Sequence, residues 1–124
     1  MDASLYDQVG GESFFVRLVD AFYDRVALDE VLRQLYPADL TEPRCHLAMF
    51  LAQYWGGPPA YAEERGHPRL RMRHARFAIT ASVRDAWLAA MAGALDAVRA
   101  DLTDQQYGDL SAYFDMAARQ LRNV

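Results

Sequence analysis

Two of the chain's three histidines bracket three arginines in one stretch, His67-Pro68-Arg69-Leu70-Arg71-Met72-Arg73-His74. A proline suits the first turn of a helix, where its missing N–H would have had no partner. The stretch therefore predicts a short helix from about Pro68 to about Phe77. At about 3.6 residues per turn, Leu70 and His74 share a face. With Phe77 they form an apolar stripe that has an imidazole in it. Arg69, Arg71 and Arg73 cannot all share that stripe, so most of the positive charge lies beside or opposite it. This arrangement suits a flat apolar cofactor carrying carboxylates. The imidazole nitrogen binds a metal, the stripe meets the cofactor's face, and the arginines meet its acids. The plainer alternative is a surface helix whose histidine only packs.

Three further side chains, Tyr23, Tyr36 and Trp87, stand on or beside apolar stripes. Each carries a donor that wants a partner when buried. If His74 holds a haem iron, groups of this kind belong on the opposite face. Dioxygen there draws partial negative charge, which O–H and N–H donors stabilise. Taken singly, each of the three reads as core packing. Taken with His74 and the arginines, they read as a ligand pocket.

Helices must bring these groups together. Ser4 is placed to cap a brief helix over 2–9, which Gly10-Gly11 ends. Phe14, Leu18, Phe22 and Val26 recur every four residues, with Phe15 and Val19 beside them. They predict a helix over 12–27. Asp29 is placed to cap a short helix carrying Val31, Leu32 and Leu35, which stops at Tyr36-Pro37. Thr41-Glu42-Pro43 looks like the start of a helix over 42–55, with Leu47, Phe50, Leu51 and Tyr54 at i, i+3, i+4 and i+7. Gly56-Gly57-Pro58-Pro59 is the strongest breaker, and 61–66 reads as a turn with short helical character. Thr80 or Ser82 caps the next helix, whose stripe is Val83, Trp87, Met91, Leu95 and Val98, with Ala94 filling in. Thr103-Asp104 opens the last, striped by Leu110, Tyr113, Phe114, Ala117 and Leu121. No segment alternates with period two, so no sheet is expected. The expected fold class is all-α, with four substantial helices and two or three short ones in a single domain over 1–124.

Composition agrees. With 52% apolar and 12% aromatic residues in 124, the chain is too apolar for disorder and long enough to bury a core unaided. A net charge of -4 argues against a general nucleic-acid binder, and no recognition motif accompanies Arg69, Arg71, Arg73 and Arg76. Cys45 is the single cysteine. It excludes an internal disulfide and fits a reducing cytosol. Its neighbour His46 raises the idea of a zinc site, which no paired-cysteine spacing supports. No signal segment and no run long enough to span a membrane is visible, so a cytoplasmic protein is expected.

Six motifs in order carry a family resemblance. They are Val9-Gly10-Gly11, Phe22-Tyr23, Tyr36-Pro37, Phe50-Leu51-Ala52-Gln53-Tyr54-Trp55-Gly56-Gly57-Pro58, Gly66-His67-Pro68-Arg69-Leu70-Arg71-Met72-Arg73-His74, and Asp85-Ala86-Trp87-Leu88. From Tyr6 to about Asn123 the chain resembles the group II truncated haemoglobins, two-over-two globins of bacteria and plants. The resemblance implies a truncated globin, a two-over-two helical sandwich around haem b. The helices at 12–27 and 42–55 would pair against the last two. His74 matches the proximal iron ligand, and Tyr23, Tyr36 and Trp87 match the distal residues that hydrogen-bond the iron's ligand. Leu47, Phe50 and Tyr54 match the distal helix over the haem. Tyr61, Leu70 and Phe77 match its walls, and Arg73 matches a propionate partner. Arg69 and Trp87 join the cofactor contacts. The chain departs from the family in three places. Arg76 stands where relatives often have proline, and His46 where they often have Lys or Arg for a propionate. Pro43 stands where the distal side is gated, without a donor. Ligand stabilisation then falls on Trp87 and the tyrosines.

The resulting reading is a haem b protein that binds dioxygen and other diatomic ligands. No side chain is assigned as catalytic. Reversible binding for storage, transport or sensing competes with redox work, which is nitric oxide oxidation to nitrate or peroxide turnover with an electron-donating reductase. Each of three donors adds on the order of 1 kcal/mol to ligand retention, so slow release is expected, which suits bulk delivery poorly. The alternative is a haem-free globin-fold module that binds a partner protein. Self-association into a homo-oligomer remains open. No nucleic acid or membrane partner is expected.

Overall fold

The computed structural model describes residues 3–75 and 77–124. In chain order the helices are α1 (Leu5–Gln8), α2 (Glu12–Val26), α3 (Glu30–Arg33), α4 (Thr41–Tyr54), α5 (Ala60–Arg65), α6 (Leu70–His74), α7 (Ala81–Ala97) and α8 (Asp104–Leu121), with a 3-10 turn at Arg99–Asp101 before the last. No strand occurs among the described residues. Helix α2 packs on α4 and on α7, and α7 packs on α8. These contacts form two helix pairs, α2 with α4 and α7 with α8.

The four-residue repeat in α2 does what its spacing predicts. Phe14, Phe15, Leu18, Val19, Phe22 and Val26 are each at most 1% exposed. They meet Leu51 of α4 and Met91, Ala94 and Leu95 of α7 in one apolar cluster. Polar side chains close the helix starts. Ser4 Oγ accepts from Asp7 N at 3.2 Å, and Asp29 Oδ1 accepts from Val31 N at 2.9 Å and Leu32 N at 3.0 Å. Thr80 Oγ1 accepts from Val83 N at 3.2 Å, and Thr103 pairs reciprocally with Gln106. Each satisfies donors that the first turn cannot.

Helix α4 divides its apolar residues between two jobs. Ala48, Leu51 and Ala52 are buried against the core, whereas Leu47 and Phe50 are half-buried and Tyr54 is 51% exposed. One stripe at i, i+3, i+4 and i+7 had been expected to face one way. The helix instead lies between the core and a cavity, so its apolar surface wraps two faces. At its end, Tyr6 N donates to Trp55 O at 3.0 Å, and Gln106 Nε2 of α8 donates to Gln8 Oε1 at 3.0 Å. Gly57 makes this docking fit, because a Cβ there would lie 2.7 Å from the Tyr6 ring and 2.8 Å from Ala52 O.

The His67–His74 stretch is helical over a shorter span than its proline suggests. Helix α6 begins at Leu70 because Arg69 takes a left-handed conformation, φ 44 and ψ 51. Two interactions hold Pro68 outside the helix. The Arg69 N–H donates to His67 Nδ1 at 3.3 Å, and Arg73 Nε donates to Pro68 O at 2.8 Å. Phe77 lies past the helix end, its N–H donating to His74 O at 3.0 Å. The short helical character expected over 61–66 is realised as the six-residue helix α5, Ala60–Arg65, which Gly66 ends. Arg76 lies outside the described residues.

Candidate functional site

A cavity of about 380 Å³ opens between the two helix pairs and α6. Leu47, Phe50 and Leu51 form its α4 wall, and Leu70 and His74 its α6 wall. Val83 and Trp87 of α7 and Tyr113, Phe114, Ala117, Ala118 and Leu121 of α8 close the far side. The lining is apolar with a few convergent polar groups, the usual make-up of a small-molecule site.

His74 is the only histidine among the lining residues. Its Nδ1 lies 2.7 Å from Leu70 O. A carbonyl only accepts, so Nδ1 carries the hydrogen and Nε2 holds the lone pair. This is the tautomer a metal-binding imidazole needs, with its ring oriented by a backbone acceptor. The i, i+4 spacing of Leu70 and His74 within five helical residues produces that contact.

On the other side, Tyr23 of α2 and Tyr36 of the α3–α4 connection meet edge to face, ring centroids 5.5 Å apart. Arg33 fixes the connection by donating to Pro37 O and Ala38 O, each at 2.9 Å. Burial raises the Tyr23 phenol well above its ordinary range, and its charge repulsion and hydrogen bond with Tyr36 raise it further. Tyr36 is raised by burial too, while hydrogen bonds from Tyr23 and Trp87 work the other way. Tyr36 thus shares side-chain hydrogen bonds with Tyr23 and with Trp87, whose indole N–H can only donate. Tyr36 lines the cavity. Burial also pushes Tyr113, another lining residue, up to about 12.

Arginines stand among the lining residues. Arg73 is held by Pro68 O and by Arg65 O, the latter at 3.0 Å. Two of its five N–H donors are thus used and three remain. Arg65 and Arg84 line the cavity as well. Arg84 was missed in the sequence, although it sits three residues before Trp87 and so shares its face of α7.

Nine of the anticipated residues are thus brought together: Tyr23, Tyr36, Leu47, Phe50, Leu70, Arg73, His74, Phe77 and Trp87. Four others stand off the cavity wall. His46 is overreached by Arg65, whose Nη1 lies 3.1 Å from its Nδ1. Tyr54 turns outward and lies tilted against Tyr113, ring centroids 4.3 Å apart. Tyr61 is buried behind Phe50, ring centroids 5.4 Å apart. Arg69 is exposed and serves the turn before α6. No cluster of three or more metal-ligating side chains occurs among the described residues, Cys45 and His46 included.

The family model for bacterial-like globins matches residues 4–120. The group 2 truncated haemoglobin YjbI of Bacillus subtilis is 43% identical over 113 residues, 91% of this chain and 84% of that protein. The chain belongs to the group II truncated haemoglobins. The crystal structure of the haemoglobin from Chloroflexus aurantiacus matches this truncated haemoglobin with a TM-score of 0.94 and 47% identity, covering 99% of this chain and 100% of that one. The truncated oxygen-avid haemoglobin of Bacillus subtilis matches at 0.91 and 42%, covering 98% and 100%. Haem is the cofactor expected of this family, and the site fits it. It offers one imidazole with a free lone pair, apolar walls wide enough to meet a flat ring, lining arginines, and three side chains that carry O–H or N–H groups, Tyr23, Tyr36 and Trp87.

Proposed function

We propose that His74 of this truncated haemoglobin holds the iron of haem b and that the cavity binds dioxygen and other diatomic ligands under the control of Tyr36. Once bound, haem supplies an iron that accepts a diatomic ligand and shifts electron density onto it. The chain's own residues then decide how long that ligand stays. The observation that carries this reading is the 2.7 Å contact of His74 Nδ1 with Leu70 O, which leaves the Nε2 lone pair free in a cavity that Tyr23, Tyr36 and Trp87 also line. Tyr36, hydrogen-bonded with Tyr23 and Trp87, is the donor this reading assigns to the ligand. Leu70 O orients His74, and Arg73, Arg65 and Arg84 face the haem carboxylates. Leu47 and Phe50 exclude water from the distal side.

Tight retention favours redox work over bulk oxygen transport. A ligand held by a preorganised donor is released slowly, which leaves time for nitric oxide to react with it. Peroxide turnover at the same site is the second chemistry open to it; the first needs a one-electron reductase to restore the protein after each turnover, and the second needs a two-electron reducing cosubstrate. The 124 residues act as one globin domain, and the single exposed thiol of Cys45 fits a cytoplasmic setting. Absorption spectra of the ferric, reduced and carbon monoxide forms test the haem, beside His74→Ala. A Soret band that moves on reduction and with carbon monoxide, and is lost or altered in the variant, supports the assignment. A chain that takes up no added hemin would instead be a haem-free module, to be pursued through its protein partners. Stopped-flow mixing with dioxygen and nitric oxide separates binder from catalyst.

A further inference from the structure

We infer that Asn123 is a positioning residue for His74, acting across the chain on the short helix that carries it. Helix α6 spans five residues and has no side-chain cap at its N-terminus. Its own backbone bonds are too few to hold an imidazole in place. Asn123 supplies what the helix lacks. Its Nδ2 donates to Phe77 O at 2.9 Å and to His74 O at 3.4 Å. Its Oδ1 accepts from Ile79 N at 2.8 Å, and its own backbone N–H donates to Ile79 O at 3.0 Å. One amide side chain thus joins the histidine's own carbonyl to the loop that follows it. That loop carries Phe77 and Ile79 into the cavity wall. Both halves of the amide are used. The carbonyl oxygen serves an N–H and the NH₂ serves two carbonyls, a combination only Asn or Gln offers.

The inference rests on the reading that His74 binds haem iron. Its consequence is that Asn123 sets the strain on the histidine–iron bond without touching either partner of it. The test uses hemin-loaded protein reduced without ligand, and reads the iron–histidine stretching band by resonance Raman. Asn123→Ala should shift or split the band and speed hemin transfer to an excess of an apoglobin by on the order of tenfold, the factor that one or two lost hydrogen bonds carry. Asn123→Asp keeps the acceptor for Ile79 N–H but loses both donors. With a carboxylate oxygen now facing the carbonyls of His74 and Phe77, it should move the band at least as far as Asn123→Ala does. The neighbouring Arg122→Ala should leave the band and the transfer rate as they were. A band unchanged in both Asn123 variants, even with a lowered Tm, overturns the inference and leaves Asn123 a fastener of the chain's last residues. If Asn123→Ala takes up no hemin, the band of Asn123→Asp decides. Wild-type protein that takes up no hemin overturns the inference together with the haem reading beneath it.

Discussion

Replacing Trp87 and Tyr36 singly and together tests how the distal side works. Trp87 N–H donates to the Tyr36 oxygen, and Tyr23 shares a hydrogen bond with the same group. On the proposed reading Tyr36 touches the ligand and Trp87 acts through Tyr36. A hydrogen bond from Tyr36 to a ligand carrying partial negative charge contributes about 1.5–3 kcal/mol, so Tyr36→Phe should raise the dioxygen off-rate by roughly 10- to 150-fold. The Trp87 donor meets a neutral oxygen, and its loss of about 1 kcal/mol predicts a rise of roughly fivefold in Trp87→Phe. The phenyl ring keeps much of the packing against Phe22 and Phe114, whose centroids lie 5.3 and 5.8 Å from the indole. Because Trp87 works through Tyr36, the double variant should release dioxygen within about twofold of Tyr36→Phe alone, a strongly non-additive cycle. The assay is stopped-flow replacement of dioxygen by carbon monoxide. Single effects that multiply in the double variant would refute the relay and make Trp87 an independent ligand donor. An unchanged off-rate in Trp87→Phe would refute any part for that residue.

Stability should respond at three other places. Gly57→Ala puts a Cβ against the Tyr6 ring and Ala52 O, so urea unfolding should show a loss of about 2–3 kcal/mol, the range of overpacked sites. In Gly93→Ala the new Cβ would stand 2.4 Å from Arg25 Nε. Arg25 must move and give up its 2.8 Å bond to Ala21 O, a milder loss of about 1 kcal/mol in the same measurement. Burial raises the Tyr23, Tyr36 and Tyr113 phenols in the folded state. Above about pH 10 the unfolded chain therefore binds fewer protons than the native one, and stability is full below that pH and falls as pH rises through the folded values. Urea midpoints should be level to about pH 9.5 and then drop, and Tyr113→Phe should soften the drop toward pH 12. A flat profile would show that these phenols ionise alike in both states.

Local rules made much of the fold readable in advance. The caps at Ser4, Asp29, Thr80 and Thr103 and the stripes of α2, α7 and α8 depend on neighbours three or four residues away, which the sequence displays. That His74, Tyr23, Tyr36 and Trp87 meet at one cavity followed from the same logic joined to a family resemblance. What could not be read depends on which faces meet. Nothing local says that α4 would lie between core and cavity, so Tyr54 was placed inward although it points out. His46 and Arg65 are 19 residues apart, and only the packing of α5 against α4 shows that the longer side chain reaches past the shorter. Helix α6 starts later than its proline suggests because the His67 ring takes the Arg69 N–H while the Arg73 guanidinium takes the Pro68 carbonyl. Together these side chains outweigh proline's preference for a first turn.

The docking of α1 has a consequence for the order in which the chain assembles. This helix precedes the other helices in the chain and touches its neighbour α2 through Tyr6 and Phe15, yet its hydrogen bonds run to Trp55 at the end of α4 and to Gln106 on α8. Its four residues have too little helix of their own to persist alone. Bringing Tyr6 to Trp55 closes a loop of about fifty residues, and joining Gln8 to Gln106 closes one of about a hundred, each with an entropy cost that precedes any gain. The α1 residues are therefore expected to settle only once α4 and α8 are in place, and to be the first to leave on unfolding, which their amide hydrogen exchange would show.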